Sequence, residues 1–130
     1  MRRRSLRLVA LVLLLLSIGT ATAYAASTNV SNWLLPAGTG NAVLATEFVT
    51  TAAEANITVK ITFNRDSQDI DIWPVKCADG SNISGPKRIL GSQTGQWITI
   101  ATNVLDGTCF KLKAGAVGLT DNIISLTVKY

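Results

Sequence analysis

From residue 57 to residue 63 the chain places an apolar side chain at every second position, Ile57, Val59, Ile61 and Phe63, with Thr58, Lys60 and Thr62 between them. A period of two belongs to a β-strand with one buried face, whereas helical side chains return to one face every 3.6 residues. The same repeat appears where Ile70 and Ile72 alternate with Asp69 and Asp71, and where Phe110 and Leu112 alternate with Lys111 and Lys113. It closes the chain as Ile124, Leu126, Val128 and Tyr130. No stretch after residue 26 carries a sustained helical period, so helix beyond a turn or two is not expected.

Further strands are expected at 30–35, 43–50, 87–90 and 96–102, separated by Gly, Pro, Asn, Asp and Ser clusters at 36–40, 64–67, 79–80, 84–86, 91–95 and 106–107. About eight short strands with turns at this spacing predict an all-β fold: a single antiparallel β-sandwich, jelly-roll or immunoglobulin-like in outline.

The first 25 residues read differently. Arg2, Arg3, Arg4 and Arg7 precede an apolar run over 8–18 broken only by Ser17, and small or polar residues follow up to Ala25. These are the parts of a signal peptide in order, with cleavage expected after Ala25, or alternatively after Ala23. The run is shorter than the roughly 20 residues needed to span a bilayer. Arg3-Arg4-Ser5-Leu6 also fits a twin-arginine signal, while the strongly apolar 11–16 core suits the unfolded export route. Residues 26–130 are then the secreted domain, with no membrane span after cleavage.

Removing the leader changes the charge. The whole chain carries a formal +4, but residues 26–130 hold six Lys and two Arg against six Asp and two Glu, a net of zero. A basic nucleic-acid or membrane-surface role thereby loses its main support. Cys77 and Cys109 are the only cysteines and both lie in the exported part, where a disulfide is expected. With no His and no third Cys, a zinc site is not.

Alternation also assigns faces. Trp73 shares parity with Asp69 and Asp71, and Trp97 with Thr99, so both tryptophans are expected to point away from the core. Cys77 and Cys109 fall on outward parities too, suggesting an outer cluster of Trp73, Trp97 and the disulfide, unless a bulge at Pro74 flips Cys77. An exposed indole can stack on the apolar side of a pyranose, which makes Trp73 and Trp97 candidate ligand contacts. The plainer alternative has them covering the disulfide or packing beneath the 79–95 segment. Trp33 reads as a packing anchor for the first strand.

Asp66, Asp69 and Asp71 crowd one strand start beside Asn64, and oxygen ligands converging from a loop are what Ca²⁺ requires. The spacing does not match a twelve-residue EF-hand loop, and a solvated strand face is the alternative. No other cofactor is suggested. Catalysis is not expected: without His there is no Ser-His-Asp or Cys-His arrangement, and nothing marks Glu47 and Glu54 as a glycosidase pair.

Asp69-Ile-Asp-Ile-Trp73, Asp106-Gly-Thr-Cys-Phe-Lys-Leu112 and Leu126-Thr-Val128 resemble short motifs of the bacterial pre-peptidase C-terminal domain family over about residues 57–130. That resemblance implies a jelly-roll-like sandwich with an accessory binding role toward matrix or polysaccharide. Asp69 and Asp71 are the only positions to inherit an acidic, calcium-assisted site. The chain departs from the family in its long 76–95 connection and in having no attached peptidase. The expected function is a secreted, non-catalytic binding module for polysaccharide or a cell-surface glycan. The alternatives are a protein-interaction or protease-inhibitor module acting through the 79–95 loop, and a structural surface protein with no ligand.

Overall fold

The fold is described from a computed structural model covering residues 26–38 and 40–130. The export-signal reading of residues 1–25 lies outside the described residues. Nine strands follow in order: β1 (Ser27–Leu35), β2 (Ala42–Val43), β3 (Phe48–Val49), β4 (Ala55–Asn64), β5 (Ile70–Lys76), β6 (Lys87–Ile89), β7 (Trp97–Val104), β8 (Cys109–Ala116) and β9 (Asn122–Lys129). The expected strand at 43–50 is two short pieces. A single 3₁₀ turn, Gly91–Gln93, is the only helical element among the described residues.

The first sheet has the order β1-β9-β4-β7 and the second β2-β8-β5-β6, with β3 on the same edge of β8 as β2. All pairings are antiparallel. Counting β2 and β3 as one interrupted strand, the eight strands follow jelly-roll order, changing sheet at every connection except the β5–β6 return, which decides between the two outlines expected from sequence. The connections after β1, β4, β6 and β8 gather at one end, where Gly38 N–H donates to the Gly118 carbonyl and Gly91 N–H to Asp69 Oδ1. Those after β3, β5 and β7 gather at the other, where Thr50 N–H donates to the Thr108 carbonyl and Cys77 N–H to the Cys109 carbonyl at the start of β8.

The inward residues of the two sheets interlock in one core. Ile57, Val59, Ile61, Leu126 and Val128 of the first sheet meet Ile70, Ile72, Phe110 and Leu112 of the second. Phe48 stacks on Phe110 with ring centroids 5.1 Å apart, and the Tyr130 ring closes on both edge-to-face. Trp33 is buried in this core, as an anchor of β1 should be.

Bulges re-aim several side chains. In β1, Ser31 and Asn32 together oppose Ser125, so Val30 and Trp33 both point inward despite opposite parity; Asn32 takes φ 53° and its N–H donates to Ser125 Oγ at 3.1 Å. In β4 the register slips between Ile61 and Phe63. Phe63 therefore leaves the buried series it was expected to join and lies exposed. No slip occurs at Pro74, which pairs with Leu112 in register. Its carbonyl accepts from Ile83 N–H at 3.0 Å, so its missing donor faces the interrupted outer edge rather than β8, where a central ladder bond would be lost.

Candidate functional site

Cys77 follows β5 and Cys109 begins β8, and the chain brings their Cα atoms to 5.5 Å in a disulfide. Both lie on the outward side of the second sheet, where cross-strand partners run Trp73 to Lys113 and Val75 to Lys111. Trp73 points outward as its parity requires, yet it is only 7% exposed. The reason is the hairpin return after β5. Lys76 N–H donates to the Ser81 carbonyl, Asn82 bridges to Val75, and the Asn82 Oδ1 accepts the Trp73 Nε1–H at 3.0 Å. Trp73 is a lining of this return, with Lys113 Nζ 5.6 Å from its ring centre, and not an exposed ligand contact.

The Asp79 carboxylate fixes the tip of the same return by accepting from Ser81 N–H at 2.9 Å and Ser81 O–H at 2.7 Å. Those two donors hold the Asp79 carboxyl below the usual carboxylate range. Most of the 79–95 segment thus runs along the edge of the second sheet. Ile83 reaches the core, β6 pairs with β5, and Gly95 N–H donates to the Ile61 carbonyl on the way to the first sheet.

Trp97 opens β7 on the other sheet, so the expected single cluster of Trp73, Trp97 and the disulfide does not exist: the two indoles occupy opposite outer faces of the sandwich. Trp97 is 39% exposed and is the only exposed tryptophan of the three. Its face is built by two cross-strand rows. One runs Trp97, Lys60, Thr127, Asn29, the other Thr99, Thr58, Lys129, Ser27. Thr127 Oγ1–H donates to Asn29 Oδ1 at 2.8 Å, leaving a regular array of hydroxyls and amides around the indole. Lys129 Nζ lies 4.1 Å and Lys60 Nζ 4.8 Å from the Trp97 ring centre. Exposed Phe63 and Leu34 extend the same face.

The three aspartates proposed for Ca²⁺ do not converge. Asp66 pairs with Arg65 at 2.8 Å, Asp69 Oδ1 accepts from Gly91 N–H at 2.9 Å, and Asp71 takes a two-pronged bond from Arg88 at 2.7 and 3.0 Å. The Arg88 guanidinium is held above its ordinary pKa by Asp71, and that of Arg65 by Asp66. Asp66, Asp69 and Asp71 therefore serve three separate structural bonds in place of one ligand set. Asp69 in particular ties the start of β5 to the 3₁₀ turn, where a Cβ on Gly91 would overlap the Ser67 carbonyl oxygen. Among the described residues, the one group of three potential metal ligands is Glu47 with Cys77 and Cys109, whose sulfurs are spent in the disulfide.

One further concavity lies where the sheet edges part, an open groove of about 320 Å³ lined by Lys76, Asn82, Ile83, Val104, Leu105 and Thr108 among others. No helix among the described residues is long and apolar enough to cross a membrane. Fold and face together define a disulfide-stapled jelly-roll sandwich carrying one exposed indole on a sheet face. Comparison with protein-family models, with curated proteins and with solved structures returns no match to this chain.

Proposed function

We propose that residues 26–130 act outside the cytoplasm as a non-catalytic binding module for polysaccharide or a cell-surface glycan, and that the outer face of the first sheet is its working face. The observation that carries this reading is Trp97: an indole left 39% exposed within two ordered rows of hydroxyl, amide and ammonium groups. A pyranose presents an apolar C–H face to an aromatic ring and hydroxyls around its rim, and this face offers partners for both. The Lys60 and Lys129 stems are flexible enough to swing their ammonium groups from the ring to sugar oxygens when a ligand arrives. Trp73, chosen on parity alongside Trp97, is assigned a structural part.

The disulfide and the leader-like first 25 residues support export. The interaction or inhibitor reading through 79–95 draws no support from a segment bonded along much of its length to β5.

Retention of residues 26–130 on a panel of insoluble polysaccharides tests the reading. Trp97→Ala is expected to weaken retention about tenfold or more, Trp97→Phe less, and Trp73→Phe not at all. Equal retention of wild type and Trp97→Ala removes Trp97 from the site. Absence of retention throughout the panel overturns the glycan reading and leaves a structural surface protein.

A further inference from the structure

The zero net charge of residues 26–130 conceals a strong segregation. Of their eight Lys and Arg side chains all but Arg65 lie on strands, and of their eight Asp and Glu side chains all but Asp71 lie in the connections. The sheets are therefore basic and the two ends of the sandwich acidic. On the second sheet the excess is partly answered, because Asp71 pairs with Arg88 and Glu47 lies 3.9 Å from Lys111. On the first sheet it is not. Strands β1, β4, β7 and β9 contain Lys60 and Lys129 and no carboxylate.

Those two lysines converge. Lys60 is the direct cross-strand neighbour of Trp97, Lys129 reaches back from β9 across β4, and both ammonium groups stand within 5 Å of one ring centre. Among the described residues neither makes an ion pair. Two like charges gathered on one indole repel each other, and the ring quadrupole offsets only part of that cost. An anionic group seated between them would remove it.

Resting on the glycan reading above, we infer that the ligand is an acidic polysaccharide, with a sugar ring stacked at Trp97 and its carboxylate or sulfate held by Lys60 and Lys129. The hydroxyl and amide rows of Thr58, Thr99, Thr127 and Asn29 favour a sugar over other polyanions, because they meet ring hydroxyls that a phosphodiester chain presents sparsely. The acidic connections keep such a chain to the sheet face, repelling it from both ends of the sandwich.

The test is binding of residues 26–130 to immobilised polygalacturonate, a neutral polysaccharide (dextran) and single-stranded DNA, at low and moderate salt. Polygalacturonate is expected to bind at least tenfold tighter than dextran and to weaken as salt rises. Lys60→Gln with Lys129→Gln is expected to lower polygalacturonate binding about tenfold and to remove most of its salt dependence. Lys76→Gln with Lys87→Gln, the same charge change on the second sheet, is expected to have less than a twofold effect. A Trp97-dependent preference for dextran, or indifference to the Lys60 and Lys129 changes, overturns the acidic ligand while leaving the glycan reading standing. DNA binding equal to that of polygalacturonate and independent of Trp97 also overturns it, in favour of unspecific polyanion attraction. No binding to any of the three overturns the inference together with the reading on which it rests.

Discussion

Trp73 and Trp97 share a residue type, an outward parity and a place on a strand, yet their surroundings give them different work. Trp73 is buried against the return after β5 and has its indole N–H satisfied by Asn82. Truncating it leaves a cavity beneath that return and an unpartnered amide. Trp73→Ala is accordingly expected to cost about 3–5 kcal/mol, read as a lowered midpoint of chemical denaturation. Asn82→Ala, which strands only the buried N–H, is expected to cost about 1–3 kcal/mol. A loss below 1 kcal/mol for Trp73→Ala would show that the indole packs loosely. Parity was legible for both residues because it depends only on position along a strand. Which of the two alternatives applies to each, ligand contact or packing beneath 79–95, was not, because it depends on what the chain lays over that strand later. Trp73 takes the packing alternative, under a hairpin return whose Asn82 carries no sequence signal of contact with the indole.

At the scale of elements, the alternation from 57 to 61, from 70 to 72 and from 110 to 112 marks the inward residues of β4, β5 and β8 correctly. Alternation fails at the bulges. Phe63 continues the repeat in sequence and leaves it in space, because Thr62 and Phe63 add a residue that β9 does not match. The Asp66, Asp69 and Asp71 cluster does not gather in space for a related reason: residues close in sequence turn to separate partners, in the connection after β4, in the 3₁₀ turn and on β6. The disulfide was readable from two cysteines, though not its place across adjacent strands of the second sheet. It joins two strands already paired over seven residue pairs, from Ile70 with Ala116 to Lys76 with Phe110. Closing a loop of sequence separation 32 is worth about 3–4 kcal/mol by restriction of the unfolded chain. The double change Cys77→Ser and Cys109→Ser is expected to lower the melting temperature by at least 10 °C while leaving the β-sheet circular dichroism at 20 °C in place. Loss of the sheet signal at 20 °C would show that the core alone cannot hold the sandwich.

Over the whole molecule, the strand order makes one sandwich with two outer faces of different character. The second sheet's face is partly covered by the β5 return, stapled by the disulfide and partly neutralised by Asp71 and Glu47. The first sheet's face presents two cross-strand rows to solvent, and its strands are free of carboxylates. Neither difference could be read from composition, because a net charge of zero says nothing of how charges divide between strands and turns, and no local pattern tells β7 to join β4 rather than β5. The fold class was therefore legible and the choice of face was not. The central claim, that the first sheet's outer face is where ligand binds, is tested most directly by NMR titration of residues 26–130 with a soluble oligogalacturonate. Shifts are predicted at the Trp97 indole N–H and along Thr58, Lys60, Thr99, Thr127 and Lys129, with Trp73 and Asn82 unmoved. Shifts confined instead to Lys76, Asn82, Ile83 and the 102–108 stretch would place the ligand in the edge groove and contradict the account.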